Sequence, residues 1–223
     1  MLSNVQRAIL AIGFFCFGNF VVGVVGMFGQ ESESSGIECS GICRIETRGA
    51  NCTGFVVESD PEAGLYEIWT AGHGTGGVGS NAEVVFPFAK GNNNRWTGTV
   101  AAKGSGDDDI SKIIVWAEGI GVRRFELERT CPDVFDGFLF SHRLADRIEI
   151  NPLKSKGEIA GVKSTVDHPP ERGSSGGPIL NEKGKVIGMM IARFDKKPRI
   201  GIMRFENMRY GRFVPVERMR EVR

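Results

Sequence analysis

Excess charge is almost missing from this chain: 28 Lys and Arg stand against 27 Asp and Glu, a net +1 over 223 residues. So even a balance provides no global field to attract nucleic acid or a strongly acidic partner. Proline is scarce too, at 9, and neither an internal repeat nor a low-complexity tract is present. Disordered, collagen-like and coiled-coil chains are thereby excluded. What is present is ordinary globular material, 41% hydrophobic and 25% charged, with 31 glycines scattered between short apolar runs. That pattern suits an all-β protein with many tight turns. The charge is unevenly spread. Lys183–Arg223 holds 12 basic and 4 acidic residues, a local +8 that leaves −7 for residues 1–182. A basic surface for an anionic partner and a solvated face on the last strands and helix are the two readings; the solvated face is preferred, and no nucleic-acid partner is expected.

The first segment bears on compartment. Ala8 to Phe28 runs 21 residues without a charge, preceded by Arg7. At ~1.5 Å per helical residue it spans a ~30 Å hydrocarbon core. Two readings stand: an uncleaved anchor, or a signal peptide over residues 1–29 with Val24-Val25-Gly26 as its small-residue cleavage site. Both keep Arg7 on the cytoplasmic side and export the rest, so the membrane is a partner only if residues 8–28 stay attached. Residues 30–36 read as a polar tether, and the globular domain as 37–223.

Four cysteines follow this segment, and an even number in an exported chain suggests two disulfides. Cys43 and Cys52 flank a hairpin turn at Arg48 to Asn51, which leaves Cys39 for Cys131; the other two pairings stay open. Cys39-x3-Cys43 has no matching second half, so no metal site is expected.

About a dozen short apolar runs recur with turn residues between them. The expected strands lie at 54–57, 66–70, 83–86, 96–101, 110–116, 122–126, 137–140, 158–162, 178–180, 186–191, 200–205 and 212–214. Connections this short favour antiparallel barrels over βαβ units. One barrel over about 37–120, a crossover near 120–135, a second barrel over about 135–215 and a helix from Pro215 use the whole length.

Three local sequences carry chemistry. Thr70-Ala71-Gly72-His73 ends a strand, Asp107-Asp108-Asp109 enters the apolar run at Ile110-Ser111, and Gly173-Ser174-Ser175-Gly176-Gly177-Pro178 is a glycine-rich turn before another strand. They supply a base, a carboxylate and a hydroxyl. A serine hydroxyl needs an imidazole to take its proton, and a carboxylate fixes that imidazole's tautomer. Glycines around Ser175 let the backbone aim two N–H groups at one oxyanion. The order His, Asp, Ser runs opposite to the lipase and esterase elbow, where the nucleophile comes first. His142 and His168 read as structural.

TAGH, the acidic turn and GSSGGP together resemble the signatures of the trypsin/chymotrypsin-like serine peptidases. The resemblance covers roughly residues 50–218. It includes Thr53-Gly54-Phe55-Val56-Val57 before the histidine and Gly211-Arg212-Phe213-Val214-Pro215 at the end, the latter similar to bacterial members of the high-temperature-requirement type. It implies two six-stranded antiparallel β-barrels, a serine endopeptidase acting on protein or peptide substrates, and no cofactor. It implies His73 as general base, Asp109 as its orienting acid with Asp108 as the register alternative, and Ser175 as nucleophile. The oxyanion hole would be the N–H groups of Gly173 and Ser175. The family's first specificity pocket maps to 167–172, 190–193 and 198–203, which nominates Pro169, Met190, Arg193 and Gly201 as substrate-binding residues. An apolar or small residue at the cleavage site is the expectation. Two departures stand out. Ser174 occupies the position where zymogens carry Asp, so activation by a freed N-terminus is not expected, and Gly74 follows His73 where the family has Cys or Val. A catalytically silent homologue that binds peptides, and a dedicated polyprotein-processing peptidase, remain the rival readings.

Overall fold

The computed structural model describes residues 39–89, 94–106, 108–143, 147–159, 162–165, 172–194, 199–200, 203–204 and 210–222. The apolar stretch at 8–28 and the polar tether lie outside them. Among the described residues no helix is long and apolar enough to cross a membrane.

Six antiparallel strands make a closed barrel: β1 (Ile42–Thr47), β2 (Ala50–Asp60), β3 (Leu65–Ala71), β4 (Asn81–Val85), β5 (Arg95–Lys103) and β6 (Ile110–Trp116). Their order is β1-β2-β3-β6-β5-β4, with β4 returning to β1. Alternation explains the shape. Along β5, Gly98, Val100 and Ala102 are buried while Thr97, Thr99, Ala101 and Lys103 face out, the two-residue period of a half-buried strand. The barrel is filled by Ile45, Val56, Ile68, Val84, Phe86, Val100 and Ile113, among others.

A second antiparallel sheet uses β7 (Val134–Arg143), β8 (Arg147–Ile159), β9 (Val162–Thr165), β10 (Pro178–Leu180), β11 (Val186–Phe194) and β14 (Tyr210–Pro215). Its order is β10-β11-β14-β9-β8-β7, and β7 pairs with β10 as well as with β8. Phe135, Leu139, Leu153, Ile179, Ile187 and Phe213 form its core. Among the described residues, the short β12 (Arg199–Ile200) and β13 (Met203–Arg204) pair only with each other. Helix α1 (Val216–Met219) follows Pro215, and Val216, Met219 and Val222 are buried.

A third cluster joins the two sheets: Phe55, Val57, Trp69 and Ile110 pack with Met189, Ile191, Val214, Val216 and Met219. This is why Phe55-Val56-Val57 is a continuous apolar run. Val56 fills the first barrel, and its two neighbours face the second sheet.

Several expectations need correcting. Strand β1 lies outside the apolar runs read as strands, because buried Arg44 interrupts its alternation, although the hairpin turn at Arg48 to Asn51 implied a strand there. Val122–Glu126 is not a strand. Gly119 and Gly121, at φ of +70° and +65°, break the backbone, and Phe125 is buried with only its N–H bonded to the Val56 carbonyl, at 2.8 Å. The expected strand at 158–162 is the end of β8 and the start of β9, and that at 200–205 is the pair β12 and β13. The final helix is a single turn. No disulfide joins any of the four cysteines. Cys43 pairs with Gly54 and Cys52 with Ile45, so the two cysteines are diagonal neighbours. That geometry sets Cα atoms about 7–8 Å apart, beyond the ~4.4–6.8 Å of a disulfide. Cys39 packs against the cluster between the sheets, whereas Cys131 is buried in the second core.

Candidate active site

Strand register brings the histidine and the aspartate together. Strand β3 pairs with β6 so that its last residue, Ala71, lies opposite Ile110, the first of β6. The ladder runs one bond further, from Gly72 N–H to the Asp109 carbonyl at 2.9 Å. His73 then sits on a 3-10 turn, Gly72–Gly74, with its Nδ1 2.5 Å from Asp109 Oδ2. The hydrogen bond to Asp109 raises the His73 pKa above the ordinary imidazole value, against an opposing contribution from burial. The His73 side chain is 49% exposed and Asp109 27%, so the pair sits at a cleft rather than in a core. Asp108 turns away and accepts an ion pair from Arg218 Nη2 at 2.8 Å. Asp107 lies outside the described residues.

Each glycine of the turn has a steric reason. A Cβ on residue 72 would come 2.7 Å from Asp109 Oδ1, and one on residue 74 would overlap Cys52 Sγ. The second contact accounts for glycine after the histidine, since the buried Cys52 already fills that space. Burial, with the Asp109 charge as the smaller cause, pushes the Cys52 thiol up to about 11, and burial also raises Cys43. Both are neutral thiols near pH 7 and poor nucleophiles. Threonine hydroxyls brace the turn from either side: Thr47 Oγ1 donates to the Gly74 carbonyl at 2.9 Å, and Thr75 Oγ1 to that of Gly72 at 3.0 Å.

Ser175 is delivered by a different device. Gly173 and Gly176 adopt φ of +94° and +85°, conformations that side chains resist, so the chain reverses tightly around the serine. The turn is clasped from both sheets. The Thr53 N–H donates to the Ser175 carbonyl at 2.8 Å, and Thr53 Oγ1 donates to the Gly173 carbonyl at 2.7 Å. The same hydroxyl accepts the His142 N–H at 2.9 Å. From β11, Met190 accepts the Gly176 N–H at 2.6 Å and donates to the Gly177 carbonyl at 2.9 Å. A Cβ on residue 176 would overlap the Thr53 carbonyl. Thr53, fully buried, is the residue that sequence reasoning missed. Its place before Gly54 in the strand motif was visible, but its bonds span 120 residues of chain.

His73 and Ser175 line one cavity, together with Cys52, His142, Arg172 and Gly173. Met190, nominated for substrate binding, is instead fully buried in the core of the second sheet. Pro169 and Gly201 lie outside the described residues, as does the side chain of Arg193. Among the described residues, no three His, Cys, Asp or Glu side chains gather as they would around a metal.

The strand architecture, together with a family-level sequence match, makes this chain a trypsin-like serine peptidase. Residues 105–219 match the sequence model of the family described as hepatitis C virus NS3 protease, and the chain belongs to that family. Solved structures agree on the fold. A mutant, inactive form of Rv3671c from M. tuberculosis H37Rv superposes with a TM-score of 0.58 at 14% identity, over 82% of this chain and 84% of that one. Deg5 gives 0.55 at 21% identity over 69% and 79% of the two chains. The serine protease of a human pathogenic astrovirus gives 0.56 at 16% identity over 81% and 91%. A search of the curated proteins finds no match.

Proposed function

We propose that this chain is an active serine endopeptidase of the chymotrypsin-like double-barrel fold, cutting protein or peptide substrates through an acyl-enzyme on Ser175. The return of β7 to β10 supports the second barrel. The observation that carries the activity is the His73–Asp109 pair opening onto the same cavity as Ser175.

In this reading His73 takes the Ser175 proton as Oγ attacks the scissile carbonyl, and then passes it to the leaving amine as the C–N bond breaks. Asp109 holds Nδ1 and stabilises the imidazolium formed between those steps. Water, activated by His73, hydrolyses the ester and restores Ser175. The N–H groups of Gly176 and Gly177 are committed to Met190 and Ser174. Those of Gly173 and Ser175 donate to no backbone carbonyl among the described residues, which suits them to the oxyanion. The charge-free stretch at 8–28 supports action outside the cytoplasm, with the domain tethered or released. A dedicated processing peptidase that cuts one polyprotein is the second reading, favoured by the viral description of the family.

Reaction with a fluorophosphonate probe tests the proposal. A phosphonyl adduct is expected on Ser175 by peptide mapping, absent in Ser175→Ala. Peptide hydrolysis in that variant should fall on the order of 10⁶-fold in kcat. Well-folded protein that takes no label would instead leave the groove as a peptide-binding module.

A further inference from the structure

The cavity beside Ser175 has a direction. It extends from His73 to the β1–β2 hairpin, where Asn51 and Cys52 form its wall. Among the described residues of the three segments that correspond to the family's first specificity pocket, Arg172 is the one that lines it. The leaving amine collects its proton from His73, so it departs on the His73 side, into this cavity.

The described lining carries charge of one sign: among the described residues that line the cavity none is acidic, and Arg44 and Arg172 both border it. Arg44 is largely neutralised by Glu46, 2.5 Å away. Arg172 is exposed, and no ion pair or side-chain hydrogen bond from it is formed among the described residues. An exposed guanidinium at the rim of a cavity is a ready partner for a carboxylate.

We propose that this cavity is the leaving-group subsite, and that Arg172 makes it prefer a substrate with an acidic side chain just after the scissile bond. The inference rests on the serine-peptidase reading and names its substrate class. Acyl transfer tests it without knowledge of the acyl-side preference. With 4-nitrophenyl acetate, Ser175 Oγ displaces nitrophenolate and forms an acetyl ester. The free amine of an added dipeptide amide then attacks that ester, gives the N-acetyl dipeptide amide, and returns a proton to Ser175 through His73. Glu-Phe-amide, Gln-Phe-amide and Lys-Phe-amide compete as acceptors, as do the corresponding Phe-Glu, Phe-Gln and Phe-Lys amides, with products read by mass spectrometry.

A Glu-over-Lys preference of roughly fivefold is expected at the first or second position, the size of one partly exposed ion pair. It should level in Arg172→Gln and invert in Arg172→Glu. Because the ratio is taken within one enzyme preparation, loss of folded protein cancels. An unchanged ratio in Arg172→Glu overturns this inference while leaving the peptidase reading intact. Failure to form acetyl-Ser175 at all overturns both.

Discussion

The first barrel and the second sheet position their reactive groups by opposite means. In the first, His73 and Asp109 ride on neighbouring strand ends, and the β3–β6 register sets their separation. In the second, Ser175 sits on a turn that no ladder aligns. Two left-handed glycines shape it, and Thr53 and Met190 clamp it from opposite sides. Regular pairing is a robust way to place two groups on adjacent strands, because every ladder bond enforces the same register. A turn bearing a nucleophile must expose its side chain and still be rigid. That combination needs backbone conformations only glycine adopts cheaply, together with contacts from outside the turn.

The comparison breaks first at the ladder's product, the His73–Asp109 pair. Asp109→Asn keeps the shape but offers His73 an amide, and kcat is expected to fall ~10⁴-fold, about 5 kcal/mol of barrier. The pH profile gives the sign. His73 must be neutral to act as base, and Asp109 raises its pKa above the ordinary imidazole value. Activity of the native protein is therefore lost as pH falls through a midpoint above about 6.5. The variant's residual kcat/KM should fall at a lower pH. An acidic limb that stays in place would mean that the pair is not what titrates.

The turn is next in magnitude. Gly176 and Gly79 share nearly the same φ, +85° and +84°, but a Cβ at 176 overlaps the Thr53 carbonyl whereas one at 79 meets nothing within 4 Å. Gly79→Ala should cost about 1 kcal/mol of unfolding free energy, the left-handed conformation alone. Gly176→Ala should cost about 3 kcal/mol and lower fluorophosphonate labelling as well. Urea unfolding separates the two, and equal losses would show that the clamp is not tight.

These differences also explain what was legible in the sequence. TAGH, Asp109-Ile110-Ser111 and GSSGGP are local strings at strand ends or in a turn, so the candidate site residues were readable without coordinates. The strands of the first barrel were mostly readable, because β5 and β6 alternate between a barrel interior and an outer face. Val122–Glu126 misled because Phe125 is buried for packing, not for pairing. Cys43 and Cys52 misled because a hairpin's turn does not by itself fix its register, and the observed register sets them on a diagonal. Thr53 and the Cys52–Gly74 contact left no local signal. Each depends on segments that meet only once both sheets are assembled.

The smallest expected effect lies where the two regions are tied together. Arg218, in α1, reaches Asp108 in the loop that leads to Asp109, with side-chain exposures of 49% and 22%. The Oδ1 of Asp108 is buried and has no hydrogen-bond partner among the described residues, so Arg218 is the main compensation for that carboxylate. Exposed ion pairs contribute about 0.2–1 kcal/mol, and half-exposure on one side sets the expectation in that range. Arg218→Ala should therefore lower stability by about 0.5–1 kcal/mol. The loss should shrink in 1 M salt, where screening has already weakened the pair. Asp108→Asn separates charge from packing: paired with Arg218→Ala in a double-mutant cycle, it should leave a coupling of the same size. A coupling near zero would mean that the ion pair does not tie helix to loop, and that the cluster of Ile110, Met219 and Val222 holds this junction by apolar packing alone.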